Sequence, residues 1–252
     1  MRTQKSTFAH IGLVALLVCS LVAYGNSCSA QTASSETEPT KLDEYGDLPT
    51  DDEAAHLDLF AERLFKQPRF YGYILAYSEP RMERGSYLRR IHGISRYLTE
   101  ARGIEAARIV VVDGGYREKF VTQLWLIHEG AEPPSPTPTI SQPRINTTSA
   151  YQFDGECLNC APAVNLYLYG LDEGLNFYAE ELRKNADSRG LIIVRPDRNF
   201  SVREALKEAR SAKRLLVNNY GVDANRITIR SGSSRNDGTA VAEMWVVPRG
   251  AK

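Results

Sequence analysis

Two cysteines lie close together in the segment Cys157-Leu-Asn-Cys160. In an exported protein, such a pair is most simply a structural disulfide that closes a small loop. A redox-active pair would need its first thiol at the start of a helix, whereas Ala161-Pro162-Ala163 and the alternating run after it predict loop and strand. A zinc site needs four ligands, and two thiols do not supply them. We therefore expect a disulfide between Cys157 and Cys160, and no metal.

The histidines do not form a catalytic or metal-binding set, because His56, His92 and His128 fall in three different predicted elements with no two at ligand spacing. The sequence also lacks the Gly-x-Ser-x-Gly elbow of hydrolases, a phosphate-binding glycine loop and the His-Glu-x-x-His helix of metalloproteases. We predict a protein that is not an enzyme, with no catalytic residue and no cofactor.

Arg117 and Arg235 are the most informative charged residues, because they occupy matching places in two related segments of the chain, each beside a predicted hairpin. One interpretation is a solvated turn arginine. The other is a carboxylate ligand that both segments share, since a guanidinium is suited to that anion.

Residues 1–30 have the pattern of a secretory signal peptide: Arg2 and Lys5, then an apolar run from Ile11 to Ala23, then small residues ending at Ala30. The run is shorter than the roughly 20 residues that span a membrane, and no later stretch reaches that length. We expect cleavage after Ala30, export to the periplasm or cell envelope, and no membrane span in the mature chain.

The charge balance argues against nucleic acid as a partner. Arg2 and Lys5 are the only charged residues of the signal, so 29 of the 31 basic residues and all 31 acidic residues remain after cleavage. A nucleic-acid-binding protein normally has a basic face and a raised pI.

The chain contains an internal repeat. Residues 57–117 align without a gap to residues 175–235, which lie 118 positions later, with sixteen identities in 61 positions. The matches include Leu64/Leu182, Gly72/Gly190, Arg108/Arg226 and, after a two-residue insertion, Trp125/Trp245. Solenoid repeats are only about 20–50 residues long, so this period predicts one small domain present twice.

Composition sets the expected boundaries. A disordered leader is predicted at 31–40, the first copy at 41–130, a proline-rich linker at 131–149 and the second copy at 150–252. Because the linker composition favours an extended polyproline spacer, we expect two separate domains.

Each copy predicts the element order β-α-β-α-β-β, with both helices on one face of the sheet, which is a two-layer α+β fold. Capping-box patterns are present at Thr50-Asp-Asp-Glu53 and Ser201-Val-Arg-Glu204. The second helix has its apolar stripe at Leu88, Ile91, Ile94 and Leu98 in the first copy, and at Leu206, Ala209, Ala212 and Leu216 in the second. The smaller residues of the second stripe predict closer packing there.

This element order resembles the C-terminal domain of OmpA-type outer-membrane and peptidoglycan-associated proteins. Further points of similarity are Tyr97-Leu98 at a helix end, Gly103-Ile104 after it and Arg108-Ile109 at the next strand. In that family, an Asp after the second strand and an Arg in the second helix hold the amino and carboxylate groups of diaminopimelate.

The resemblance implies a site in each copy. The Asp position falls on Glu79 in the first copy and Asp197 in the second. The Arg position falls on Arg90 in the first copy, with Arg81 and Arg84 nearby, but on Glu208 in the second. The first copy is therefore the better candidate for binding the cell wall.

Two functions stay open at this point. One is a non-catalytic envelope protein that binds peptidoglycan through Glu79, Arg90, Arg117, Asp197 or Arg235. The other is a scaffold that has kept the fold, lost this ligand and binds another envelope protein.

Overall fold

The computed structural model describes residues 38–142, 148–160 and 171–251. The predicted signal peptide lies outside the described residues, as does the predicted leader up to residue 37. The described residues belong to one compact unit. Within the described ranges, no helix is both long enough and apolar enough to cross a membrane.

The first half, residues 38–142, forms one sheet covered by two helices. Its elements are β1 (Thr40–Tyr45), α1 (Thr50–Lys66), β2 (Phe70–Ser78), α2 (Arg84–Arg96), β3 (Ile109–Tyr116) and β4 (Val121–His128). The strands lie in the order β1-β4-β2-β3, with β2 and β3 parallel and the other neighbours antiparallel. A single π-helical turn, Tyr97–Ala101, extends α2.

The second half, described at residues 148–160 and 171–251, has the same arrangement. Its elements are β5 (Tyr151–Cys157), α3 (Leu171–Lys184), β6 (Arg189–Arg195), α4 (Val202–Asn218), β7 (Ile227–Ser231) and β8 (Val241–Val247), with strand order β5-β8-β6-β7. Gly72 lies opposite Ile109 and Leu126, and Gly190, 118 positions later, lies opposite Ile227 and Val246. The predicted α+β class and element order are thus observed in both halves.

One arginine in each half holds a helix end against the sheet. Arg108 donates to the carbonyl oxygens of Leu64, Gln67 and Phe70 at the end of α1. Arg226 makes the same set of bonds to Leu182, Asn185 and Ser188 at the end of α3. The last carbonyls of a helix lack partners within it, so each guanidinium satisfies groups that would otherwise be left unbonded.

One of the two predicted capping boxes forms and the other does not. Ser201 and Glu204 form a complete box at the start of α4. At the start of α1 the box is absent, because Pro49 takes the N-cap position and no side chain caps the helix. Glu53 is instead fully buried and lies 3.4 Å from the Nε of Arg90. The Glu53 carboxylate therefore contacts Arg90 in the interior and does not cap α1.

The second helix of the first half, α2, packs on both halves. Its Leu88 contacts the apolar core of the second half, and the ring of His92 lies 5.3 Å from that of Phe177 in α3. A Cβ atom at Gly85 would lie 2.6 Å from the Cβ of Asp154, so only glycine allows this approach. Helix α2 therefore contacts residues of both halves.

The proline-rich segment also packs against the protein. Thr137 donates its amide to the hydroxyl of Tyr77 at 3.0 Å, and Thr139 and Ile140 donate theirs to the carbonyl oxygen of Tyr116. Tyr73 and Tyr77 lie on the sheet face opposite the helices, in a small apolar cluster that Ala131 contacts. Residues 131–140 thus cover an aromatic sheet face that would otherwise be exposed to water.

Candidate functional site

A groove of about 810 Å³, lined by charged, polar and apolar residues, lies between the two halves. One wall is the loop from β2 to α2 together with the end of β3. The other wall includes the start of β5 and residues of α3. Since β2 and β3 are parallel, this wall lies at the carboxyl ends of parallel strands, where ligands of α/β sheets commonly bind.

Asp113 is a charged group of the groove that several neighbours hold by hydrogen bonds. Its carboxylate accepts from Arg84 Nη1 at 2.9 Å and from the amide of Gly115 at 3.0 Å. The hydroxyl of Tyr87 lies 3.0 Å from the same carboxylate and 3.0 Å from the carbonyl oxygen of Ala76. Burial raises the pKa of Tyr87, as does the nearby Asp113, so the hydroxyl stays protonated and donates.

Two cations of the groove have no recorded partner among the described residues. They are Arg81 in the loop before α2 and Lys184 at the end of α3, and both side chains are exposed. One comes from each half. The groove also contains the carboxylates of Glu83 and Glu181, so it offers charges of both signs. Such a site is complementary to a ligand with a carboxylate and an amine.

The resemblance assigned Glu79 and Arg90 to the site of the first copy. Glu79 directly follows β2 and is half-buried. Arg90 is only 5 % exposed, and its guanidinium contacts Asp47 and Glu53 and lies 4.1 Å from the ring of Phe120. Neither residue lines the groove.

Arg117 and Arg235 are equivalent in their backbone and different in their side chains. Arg117 donates its amide to the carbonyl oxygen of Ser78 at the end of β2, and Arg235 donates its amide to that of Pro196, just after β6. The guanidinium of Arg117 lies 3.7 Å from the Tyr77 ring and donates to Thr137. Arg235 pairs with Asp237. Arg117 thus holds the proline-rich segment.

Asp197 follows β6 and is buried. Its Oδ1 accepts from the amide of Asn199 at 3.0 Å, while Oδ2 has no hydrogen-bond partner among the described residues. Asn159 lies 3.5 Å from Asp197 Oδ1 through its side-chain nitrogen and accepts from the amide of Ala240 at 2.8 Å.

Asn159 is located inside the predicted disulfide, which the structure contains between Cys157 and Cys160. This small loop joins the end of β5 to the segment before β8, because Leu158 and Asn159 both bond Ala240. The disulfide therefore stabilises the region around Asp197.

Sequence reasoning missed the groove as a whole, because its walls come from two halves that it treated as separate. Arg81 and Arg84 were noted only as neighbours of the family position. In the described ranges, no group of three or more His, Cys, Asp or Glu residues could hold a metal ion.

Comparison of the chain with protein-family models finds no match. Comparison with curated proteins also finds none.

Proposed function

We propose that this is an exported, non-catalytic protein of the cell envelope, and that its groove binds a zwitterionic peptide of peptidoglycan. The resemblance to OmpA-type domains and the signal pattern of residues 1–30 support this assignment. The observation that carries it is the presence of two exposed cations, Arg81 and Lys184, that pair with no other described residue and lie in a groove that also contains carboxylates.

The ligand chemistry follows from these charges. Cell-wall stem peptides contain carboxylates together with the amine of a diamino acid. In this proposal the carboxylates pair with Arg81 and Lys184, while Glu83 accepts from the amine. Arg90 takes no direct part, because its guanidinium is engaged within the first half.

Co-sedimentation of the mature protein with purified sacculi tests the proposal. Loss of a charge-assisted hydrogen bond costs about 1.5–3 kcal/mol, so Arg81→Ala and Lys184→Ala should each weaken binding by roughly ten- to a hundredfold. Arg210→Ala is the matched control, because Arg210 is exposed on α4 and does not line the groove.

The outcomes are distinct. If the wild-type protein stays in the supernatant, peptidoglycan is not its ligand, and the scaffold alternative is preferred. If it pellets but all three variants pellet equally well, the protein binds the wall through a surface other than the groove.

A further inference from the structure

The second half contains an apolar pocket of about 190 Å³ beneath α4. Leu175, Ile192, Ala209, Ala212, Leu215 and Met244 form much of its wall. The charged residues in the wall are Glu156 and Glu208. An apolar pocket with two carboxylates and no cation in its described wall is an unusual combination, because a carboxylate loses solvation beside apolar groups.

The first half has larger side chains at the equivalent helix positions. Ile91 and Ile94 occupy the positions of Ala209 and Ala212, since the two halves match at 118 residues apart. Ile94 is fully buried in the core of its half. Each change from isoleucine to alanine removes three carbon atoms, so the small residues of α4 leave space beside the sheet. The closer packing of α4 that its smaller residues predict is therefore incomplete, and the pocket remains.

The charges differ at the same positions. Arg90 occupies the position of Glu208, and Tyr45, by strand register, that of Glu156. In the first half the Arg90 guanidinium is buried among Asp47, Glu53 and the ring of Phe120. The first half thus contains an internal cation with an alkyl stem, where the second half has an open pocket with carboxylates.

We propose that this pocket binds a small organic cation with an aliphatic stem, an alkylguanidine or alkylamine. Its charged end pairs with Glu208 and Glu156, and its stem lies against Ala209 and Ala212, whereas in the first half the buried side chain of Arg90 supplies a cation of the chain itself. An apolar cavity of about 150 Å³ accommodates benzene, so this pocket suits a ligand of roughly six to eight heavy atoms.

Glu156 and Glu208 have different roles in this site. Glu156 already accepts from Arg89 Nη1 at 2.8 Å, and its side chain is 26 % exposed. Glu208 is exposed and has no recorded partner among the described residues, so its carboxylate is available to a ligand. Glu208 therefore supplies most of the charge selectivity.

Titration of the mature protein with n-butylguanidinium, followed by two-dimensional NMR, tests the inference. We expect saturable shifts at Ala209, Ala212 and Met244, and an affinity about tenfold or more above that for 1-pentanol. Glu208→Gln should weaken butylguanidinium binding by about tenfold, because one charged partner is lost. Ala212→Ile restores the side chain of the first half and should abolish binding, whereas Ala186→Ile, at an exposed turn, should not.

Equal binding of pentanol and butylguanidinium would overturn the charge argument, and no binding of either would overturn the site. Unchanged binding by Ala212→Ile would also overturn it. Should Ala212→Ile fail to fold, Glu208→Gln still decides, because that residue is on the surface. None of these results depends on binding to sacculi.

Discussion

Arg89 in α2 and Asp154 in β5 form a two-pronged ion pair that joins the halves. The Nε and Nη2 atoms of Arg89 lie 2.9 and 2.8 Å from the two carboxylate oxygens of Asp154. The Asp154 side chain is fully buried and that of Arg89 is 11 % exposed. Ser86 donates to the same carboxylate at 2.7 Å. The buried anion of one half is therefore satisfied by side chains of the other.

Removing the cation should strongly destabilise the protein. Arg89→Met leaves Asp154 buried without its ion pair, and breaking a buried pair from one side costs about 3–5 kcal/mol. Urea denaturation should show this loss, while Arg210→Met on the exposed side of α4 stays near wild type. Arg89→Met combined with Asp154→Leu should recover part of the loss, since no unpaired Asp154 anion remains. Equal stability of Arg89→Met and wild type would contradict the pairing.

The stability of the protein should depend on the planar guanidinium groups of Arg108 and Arg226 at the helix ends. Arg108→Ala leaves the carbonyl oxygens of Leu64, Gln67 and Phe70 without this donor, which should cost about 2–4 kcal/mol of unfolding free energy. Arg108→Lys should recover less than half of that, because an ammonium lacks the planar fork. Arg226 should respond in parallel. Full rescue by lysine would show that charge alone is sufficient.

The proline-rich segment should lose protection when its anchor is removed. Tyr77→Phe deletes the hydroxyl oxygen that accepts from the Thr137 amide. A net hydrogen bond contributes about 1 kcal/mol, so the Thr137 amide should exchange roughly fivefold faster. Arg117→Ala should have a similar effect. Hydrogen exchange measured by NMR tests both, and amides of β8 serve as the internal control. An unchanged Thr137 rate would mean that the segment is held elsewhere.

Stability should depend on the ionisation of Glu156. Burial raises the pKa of Glu156. The positive charge of Arg89 offsets part of this rise in pKa, and the negative charge of Asp154 adds to it. A carboxyl group whose folded pKa lies above the unfolded one stabilises the fold below the unfolded pKa, and that contribution is lost as pH rises through the folded pKa. The stability of Glu156→Gln relative to wild type should therefore increase from about pH 4 to pH 7.

Urea denaturation across that range measures the effect, with Glu180→Gln in α3 as the control. A constant difference between Glu156→Gln and wild type would contradict the raised pKa.

The sequence predicted the elements well because their signals are local. The stripes of α2 and α4 and the box at Ser201 depend on neighbours along the chain. The box at Thr50 does not form, because Pro49 is the N-cap residue of α1, and the Glu53 carboxylate instead contacts Arg90 in the interior.

The contact between the two halves could not be predicted from the internal repeat. Aligning the halves pairs Arg89 with Lys207 and Gly85 with Arg203, so the residues that make the contact look like ordinary differences between diverged copies. Only the close approach of α2 to β5 reveals why Gly85 is required. The groove depends on the same approach and was hidden for the same reason.

The position of the proline-rich segment has a consequence for behaviour at high concentration. Strand β3 is at the edge of its sheet, and an exposed edge can pair with a strand of another molecule. Ile140 forms an antiparallel bridge with Tyr116 at the end of this strand, and prolines precede it in the same segment. A proline has no amide hydrogen, so the segment ends hydrogen-bonded pairing instead of propagating it. The connection between the halves thereby protects part of this edge from intermolecular strand addition and amyloid-like growth.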